Sequence, residues 1–242
     1  MKDLHSHILY GIDDGSKDIE ESIELLKDME KQGITELILT PHYIEDSKYN
    51  CNNKDKQKIL KELEKKAKEE DINIKLYLGN EVFFTANFLE LLEKKEIATL
   101  NKSKYVLFEF PMRQIYNNTS HIIAELVSHG YTPVLAHPER YELFQKHPNA
   151  AEEYLRTGIL FQANYTSLFG NYGSKSEKTL KYFLKKGWIT FLGGDIHHKT
   201  KYNIKKLEKK LLRITKNKQY TEDLMVNNFD KVINNEDIGM LR

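Results

Sequence analysis

Apolar residues fall along this chain in two alternating patterns. Short strand-like runs lie at residues 3–9, 36–40, 74–78, 105–110, 133–136, 160–164 and 189–192. Between them, apolar positions recur every three to four residues, the spacing that lines one face of a helix. Ile19, Ile23, Leu26 and Met29 lie on such a face, Ser16 is placed to cap that helix, and Asp18 and Glu20 favour its positive end. Gly33 closes it, as a residue free to turn left-handed. The same ending recurs at Gly130, Gly158 and Gly187, after helical patterns over 120–129, 150–157 and 176–186. Residues 52–71 are rich in Lys and Glu yet carry Ile59, Leu60, Leu63 and Ala67 at helical spacing, which predicts a solvated amphipathic helix rather than a hinge. Helix, glycine, apolar strand, polar residue is the repeating order, and it predicts parallel βα units.

Seven strand-like runs, most with a candidate ligand at the carboxyl end, favour an α/β fold closed or nearly closed into a barrel, where strand C-termini converge on one mouth. A doubly wound open sheet is the weaker alternative, because its ligands gather at one switch point. No linker divides the 242 residues, so 1–242 is read as a single domain with a substantial core. From about residue 203 the pattern predicts one or two terminal helices packed outside. No apolar segment approaches the roughly 20 residues of a membrane span, and the start Met1-Lys2-Asp3-Leu4-His5 is unlike a signal peptide; membrane insertion is not expected.

Charge narrows the function classes. The 37 basic and 36 acidic residues nearly cancel to a net +1, without the concentrated basic surface of a nucleic-acid binder; the Lys-rich stretch 199–218 is the nearest approach to one. The single Cys51 excludes an internal disulfide and points to a reducing cytoplasm. It also tests the cysteine-dependent phosphatases, whose nucleophile is followed six positions later by Arg. That position is Gln57, in a polar, Lys-rich stretch, so Cys51 reads as an inert thiol.

The chemistry lies in histidines and carboxylates. In His5-Ser6-His7 a strand puts both imidazoles on one face. His42, Glu81, Glu109, His137, Asp195 and His197 each stand at or near the carboxyl end of an apolar run, and Asp14 follows in Asp13-Asp14-Gly15, a sequence that also suits an ordinary turn. Glu109 lies within Leu107-Phe108-Glu109-Phe110-Pro111, where an unpaired carboxylate would cost several kcal/mol. These nine ligands, five imidazoles and four carboxylates, suit Mn²⁺, Fe²⁺ or Zn²⁺ better than Ca²⁺ or Mg²⁺. They exceed the needs of one ion, and two or three ions would neutralise carboxylates that otherwise repel. His121, His129, His147 and His198 fit no strand end and read as structural, His198 keeping at most a role beside the cluster. Metal-activated water hydrolyses esters without a protein nucleophile. Arg140 follows His137-Pro138-Glu139 in a chain of only five Arg; its guanidinium is suited to grip a phosphate by two parallel hydrogen bonds, although a structural Arg is an equal reading.

Together with Thr40-Pro41-His42, Gly79-Asn80-Glu81, Ala136-His137-Pro138-Glu139-Arg140 and Gly194-Asp195-Ile196-His197, these motifs resemble the polymerase-and-histidinol-phosphatase (PHP) superfamily, and within it the bacterial tyrosine-protein phosphatases of capsule and exopolysaccharide loci. The resemblance runs in order through residues 1 to about 200. It implies a distorted, TIM-like (β/α)₇ barrel with three metal ions, often manganese. His5, His7, Glu81 and Asp195 would surround one ion; Glu81 would bridge to a second held by Glu109 and His137; Asp14, His42 and His197 would hold the third. Arg140 matches the phosphate-binding arginine. The implied substrate is a phosphotyrosine protein, a partner bacterial tyrosine kinase that regulates polysaccharide assembly and export. Members often carry a second Arg after the Asp-x-His motif; here the stretch is His198-Lys199-Thr200-Lys201-Tyr202, so Lys199 or Lys201 would substitute as a point charge.

Two other readings compete. One is a small-molecule phosphoesterase resembling histidinol-phosphate phosphatase, or a nuclease of the same superfamily, the nuclease opposed by the near-zero charge. The other is a non-catalytic binding protein that keeps metal for stability, although a structural site needs only about four ligands. The two longest loops, 43–53 and 165–175, hold Tyr43, Tyr49, Tyr165, Phe169 and Tyr172. These rings would pack against a phosphotyrosine or simply against the barrel.

Overall fold

The structure, a computed structural model, describes residues 1–114 and 119–239. Among the described residues nine strands form, in chain order: β1 (Lys2–Ser6), β2 (Glu36–Leu39), β3 (His42–Tyr43), β4 (Lys75–Leu78), β5 (Glu81–Phe83), β6 (Tyr105–Glu109), β7 (Thr132–Ala136), β8 (Leu160–Asn164) and β9 (Phe191–Gly193). All pair in parallel, in one sheet of order β1-β2-β4 and another of order β3-β5-β6-β7-β8-β9.

Backbone hydrogen bonds carry the pairing from one sheet into the other. Gly79 N–H donates to Leu39 O at 2.8 Å and Glu81 N–H to Thr40 O at 3.3 Å, so the β2–β4 contact continues as β3–β5. At the opposite edge Asp195 N–H donates to His5 O and His7 N–H to Ile196 O, both at 2.9 Å, setting the end of β9 against β1. The result is a curled parallel sheet. The predicted runs are present with shifted ends, and beyond the second and third the chain resumes as a further short strand: Pro41, which lacks an N–H, lies between β2 and β3, and Gly79-Asn80 lies between β4 and β5. Asn80 mends the gap, its Nδ2 donating to Pro41 O at 2.8 Å.

Helices cover the outer face: α1 (Ile19–Gln32), α2 (Asn53–Glu69), α3 (Phe88–Glu93), α4 (Thr119–Ser128), α5 (Glu142–Lys146), α6 (Ala151–Arg156), α7 (Gly173–Lys186), α8 (Ile204–Thr215), α9 (Lys218–Glu222) and α10 (Asn228–Ile233). The cap of α1 differs from expectation. Asp18, in extended conformation, accepts from Glu21 N–H, whereas Ser16 is buried and its N–H donates to His7 O. Gly33 ends α1 at φ 95° as predicted. In α2, Leu60, Leu63 and Ala67 are buried.

Two apolar clusters result. The outer one joins the helices to the sheet. The inner one holds Leu4, Ile38, Tyr77, Tyr105, Leu107, Val134, Ala136, Leu160 and Phe191, inside the curl near the amino ends of the strands. Burying each such side chain contributes about 1.5–3 kcal/mol. The terminal helices divide between the two: α8 packs outside through Leu207 and Leu211, but α10 does not. Its Phe229 and Val232 complete the inner cluster, while Tyr105 OH donates to Glu236 O at 2.6 Å, so the last helix plugs the amino ends. No helix among the described residues is long and apolar enough to cross a membrane.

Candidate metal centre

The opposite, carboxyl ends of the strands gather the ionisable residues. His5, His7, Glu81 and Asp195 each offer a ligand atom within 4.8 Å of one another; so do His7, Asp14, His42 and His197, and so do His42, Glu81 and Glu109. His137 joins through Nε2, 2.8 Å from Glu81 Oε1 and 3.6 Å from Glu109 Oε2. Because the groups share His7, His42 and Glu81, all nine residues singled out in the sequence form one continuous cluster.

Local structure explains the aim of each side chain. In β1 the pairing with β2 shifts register between Asp3 and Ser6, so Leu4 joins the inner apolar cluster while the next residue, His5, also faces inward, followed two residues on by His7. β6 places Tyr105, Leu107 and Glu109 on one face by the period of two. His137 and Asp195 follow β7 and β9 with φ of 36° and 52°. Such left-handed backbone is strained for a residue with a Cβ and concentrates at functional sites. Two glycines let chains approach the imidazoles: a Cβ on Gly15 would lie 1.8 Å from His7 O, and one on Gly193 would lie 2.4 Å from His5 Cβ.

The donor set fits divalent metal. Glu81 Oε2 lies 3.2 Å from His5 Nε2, His7 Nε2 and His42 Nδ1, yet it is buried without a hydrogen bond, as is His42 Nδ1. His5 Nε2 and His7 Nε2 face each other at 3.0 Å. Imidazole nitrogens and carboxylate oxygens converging on shared space, with their own hydrogen bonding incomplete, are what a nitrogen–oxygen metal site presents.

A supporting shell orients these side chains. Asp13 Oδ2 binds His7 Nδ1 at 2.7 Å and accepts from His42 N–H at 2.8 Å, while Asp13 Oδ1 accepts from Gly15 N–H. His5 Nδ1 pairs with Gln162 Oε1 at 2.7 Å, leaving Nε2 for the cluster. Asp195 Oδ2 accepts from Arg140 Nη1 at 2.7 Å, Asn164 Nδ2 at 2.8 Å and Tyr172 OH at 3.0 Å, and its Oδ1 faces His5, His7 and His197. Buried Glu139 accepts from Asn164 N–H and Ser167 Oγ–H. Such outer partners fix ring orientation and ligand basicity.

The electrostatics are strongly divided. Burial pushes the Glu81 and Asp195 carboxyls up, but neighbouring imidazoles outweigh it and hold both well below the usual range. Glu109, buried beside charged Glu81, rises to about 9. Burial, with the Arg140 charge, takes His137 down to about 4. Asp14, hydrogen-bonded by His197, is held low. Two adjacent carboxyls that cannot both ionise call for added positive charge.

Of the predicted phosphate contacts, Arg140 reaches the cluster through Asp195, with Cζ 4.4 Å from the ring centre of Tyr172, and its side chain is 25% exposed. Lys199 and Lys201 are exposed, and among the described residues neither ammonium contacts the cluster. Tyr43 and Tyr165 are buried, donating to Glu96 and Asp3; Phe169 sits under Lys210; Tyr49 stands 6.3 Å from the His42 ring. His121, His129, His147 and His198 are exposed, and His198 faces Glu21 rather than the cluster. Burial raises the half-buried Cys51 thiol. Sequence reasoning passed over Gln162 and Asn164, although polar residues inside Phe161-Gln162-Ala163-Asn164 carry the same signal that marked Glu109.

The comparisons agree with this geometry. A family model described as capsular polysaccharide synthesis, CpsB/CapC, matches residues 1–234. CapC of Staphylococcus aureus is 34% identical over 242 residues, covering 99% of this chain and 93% of CapC. The tyrosine-protein phosphatase CpsB of Streptococcus pneumoniae is 32% identical over 203 residues, covering 82% of this chain and 83% of CpsB. Among solved structures, one described with YwqE from Bacillus subtilis and CpsB from Streptococcus pneumoniae as unique metal-dependent tyrosine phosphatases superposes with a TM-score of 0.92. It is 27% identical and covers 100% of this chain and 97% of that one.

Proposed function

The chain belongs to the CpsB/CapC family of capsular polysaccharide synthesis, and from that premise we propose that it is a metal-dependent protein-tyrosine phosphatase. The observation that carries the reading is the convergence of nine nitrogen and oxygen ligands beside a partly exposed Arg140. The sheet is read as seven strand positions, with β2–β3 and β4–β5 each counted once and β9 closing on β1, in one domain. Three divalent ions are assigned: one with His5, His7, Glu81 and Asp195; a second with Glu81, Glu109 and His137; a third with Asp14, His42 and His197. The mixed donor set admits manganese, iron or zinc, and manganese is read from the family resemblance.

Bound there, the ions supply an acidified water and neutralise charge on phosphoryl oxygens. The rest falls to the protein. Asp13 and Gln162 hold His7 and His5 with Nε2 turned to the cluster. Arg140, anchored on Asp195 and flanked by Tyr172, keeps guanidinium donors for a phosphate entering from the open side, so that the ester is oriented for in-line attack. No protein nucleophile takes part, and Cys51 stands outside the chemistry. The substrate is a phosphotyrosine protein, read as a bacterial tyrosine kinase that governs capsule or exopolysaccharide synthesis. The lone Cys51 thiol supports a reducing, cytoplasmic setting.

Hydrolysis of a phosphotyrosine peptide, with histidinol phosphate and single-stranded DNA in parallel, tests this reading. Turnover that needs Mn²⁺, falls with a chelator, is lost in Arg140→Ala and survives Cys51→Ser is expected. Turnover of only another substrate would reassign the protein to a sister activity, and none with any metal would leave a binding protein.

A further inference from the structure

On the outer flank of the sheet, between the first half of α2 and residues 92–103, lies a groove of about 1080 Å³. Leu60, Leu76, Leu78, Leu92 and Ile97 line it. Leu76 and Leu78 of β4 belong to the outer apolar cluster and Tyr77, which also borders the groove, to the inner one; none of the nine clustered histidines and carboxylates lines it. Its other lining side chains include five lysines, Lys54, Lys58, Lys61, Lys95 and Lys102, and no carboxylate.

All five lysines are exposed. Nearby lysines have partners: Lys65 and Lys66 of the same helix pair with Glu69 and Glu70, and Lys94 with Glu90. Among the described residues none of the five groove lysines has a carboxylate within 4.0 Å. Lys95 and Lys102 also hold left-handed backbone, at φ 59° and 60°. Lys95 stands just past the end of α3, the place that Gly33 takes after α1; a glycine there would relieve strain and remove the charge. Asn53 fastens this rim, its Nδ2 donating to Lys95 O and Ile97 O.

Five lysines without a close carboxylate around an apolar floor make a positive rim that favours an anionic partner. The floor side chains are only 3–8% exposed, and a uniformly hydrated polyanion would satisfy the rim while leaving that narrow apolar strip uncovered. A segment with acidic and leucine-type side chains satisfies both. We propose that this groove docks an acidic, leucine-bearing peptide segment of a partner protein.

Binding of a fluorescein-labelled 14-residue peptide of glutamates with leucines at helical spacing, followed by anisotropy on the full chain, tests the proposal. Saturable binding is expected, weakened about tenfold or more by Lys58→Glu with Lys61→Glu and by replacing the peptide leucines with glutamine. Metal-dependent turnover of p-nitrophenyl phosphate should stay at the level of the unaltered chain in that double variant, separating groove from cluster whatever the protein substrate proves to be. Equal affinity for the double variant would overturn the proposal. So would no binding up to about millimolar peptide, or equally tight binding of a single-stranded DNA oligonucleotide.

Discussion

The two ends of the same strands solve opposite problems with one backbone pattern. Along β6, Tyr105, Leu107 and Glu109 share a face; along β8, Leu160, Gln162 and Asn164 do. Near the amino ends these inward residues are apolar, and Phe229 and Val232 of α10 close the layer. Near the carboxyl ends they are charged or amide-bearing and nearly as buried, and Glu81 Oε2 and His42 Nδ1 lack hydrogen bonds. Packing settles the first end, because apolar burial is favourable however the pieces meet. It leaves the second unfinished, since buried charge is tolerated only when neutralised. The amino end is therefore built for stability and the mouth for holding cations.

Chelation would separate the two ends most sharply. Stripping metal should lower phosphotyrosine-peptide turnover by more than about 10³-fold and reduce the melting temperature, because the ions bind only the folded chain; added Mn²⁺ should restore both. Phe229→Ala is the mirror experiment. It should cost about 3–5 kcal/mol of stability while leaving kcat/KM unchanged well below the melting point. A variant that stays folded yet loses turnover would show that the plug at one end acts on the other.

Arg140→Ala should lower kcat/KM by about 10²–10³-fold with little change in melting temperature, and Arg140→Lys should recover little, lacking the planar fork. An equal loss in stability would move Arg140 from phosphate binding to support of Asp195.

Asp13→Asn acts one step further out and should weaken Mn²⁺ about 10–100-fold. In the unaltered chain, affinity should climb with pH. Burial and Glu81 keep a proton on Glu109 up to about 9, and that proton must leave on ligation, so the binding constant gains about tenfold per pH unit for each proton released. Burial lowers the pKa values of His5 and His7, but neighbouring carboxylates outweigh it and raise them, which adds to the climb. Calorimetric titration at pH 6 and pH 8 should therefore show a shallower slope in Glu109→Gln; an unchanged slope would mean that Glu109 does not ligate.

The mouth was more legible than its supports. A histidine or carboxylate at the end of an apolar run is conspicuous, so all nine residues that the fold gathers at the mouth, and Arg140 beside them, could be named from the chain. Gln162 and Asn164 obey the same rule but carry no charge to draw notice. Which carboxylate of Asp13-Asp14 turns inward to orient His7 depends on loop backbone that no periodicity encodes. Tyr172 could be read as a ring for substrate; only its position shows it against Arg140. The fold follows a similar divide. Alternating helices and strands announced parallel pairing, whereas the interruptions at Pro41 and Asn80, and α10 as a plug, rest on contacts between residues far apart in sequence.

Lys56 was the least legible of all, one lysine among many on a solvated helix, and it gives the smallest effect on activity. It is fully buried on α2, its ammonium donating to Asn80 Oδ1, and burial brings its pKa down to about 7. Unfolded, the amine keeps its proton to about 10.4. Below pH 7 both states carry the charge and the folded chain bears the full penalty of burying it. Between pH 7 and about 10.4 the folded chain releases the proton first, so the unfolded state binds more protons and stability rises with pH. Lys56→Met should therefore stabilise the protein by about 1–3 kcal/mol at pH 6.5, Asn80 Oδ1 still accepting from Ala98 N–H at 2.8 Å. The gain should shrink toward pH 10 with turnover unchanged throughout. A gain independent of pH would show that packing, and not the buried charge, separates Lys56 from the apolar end of the molecule.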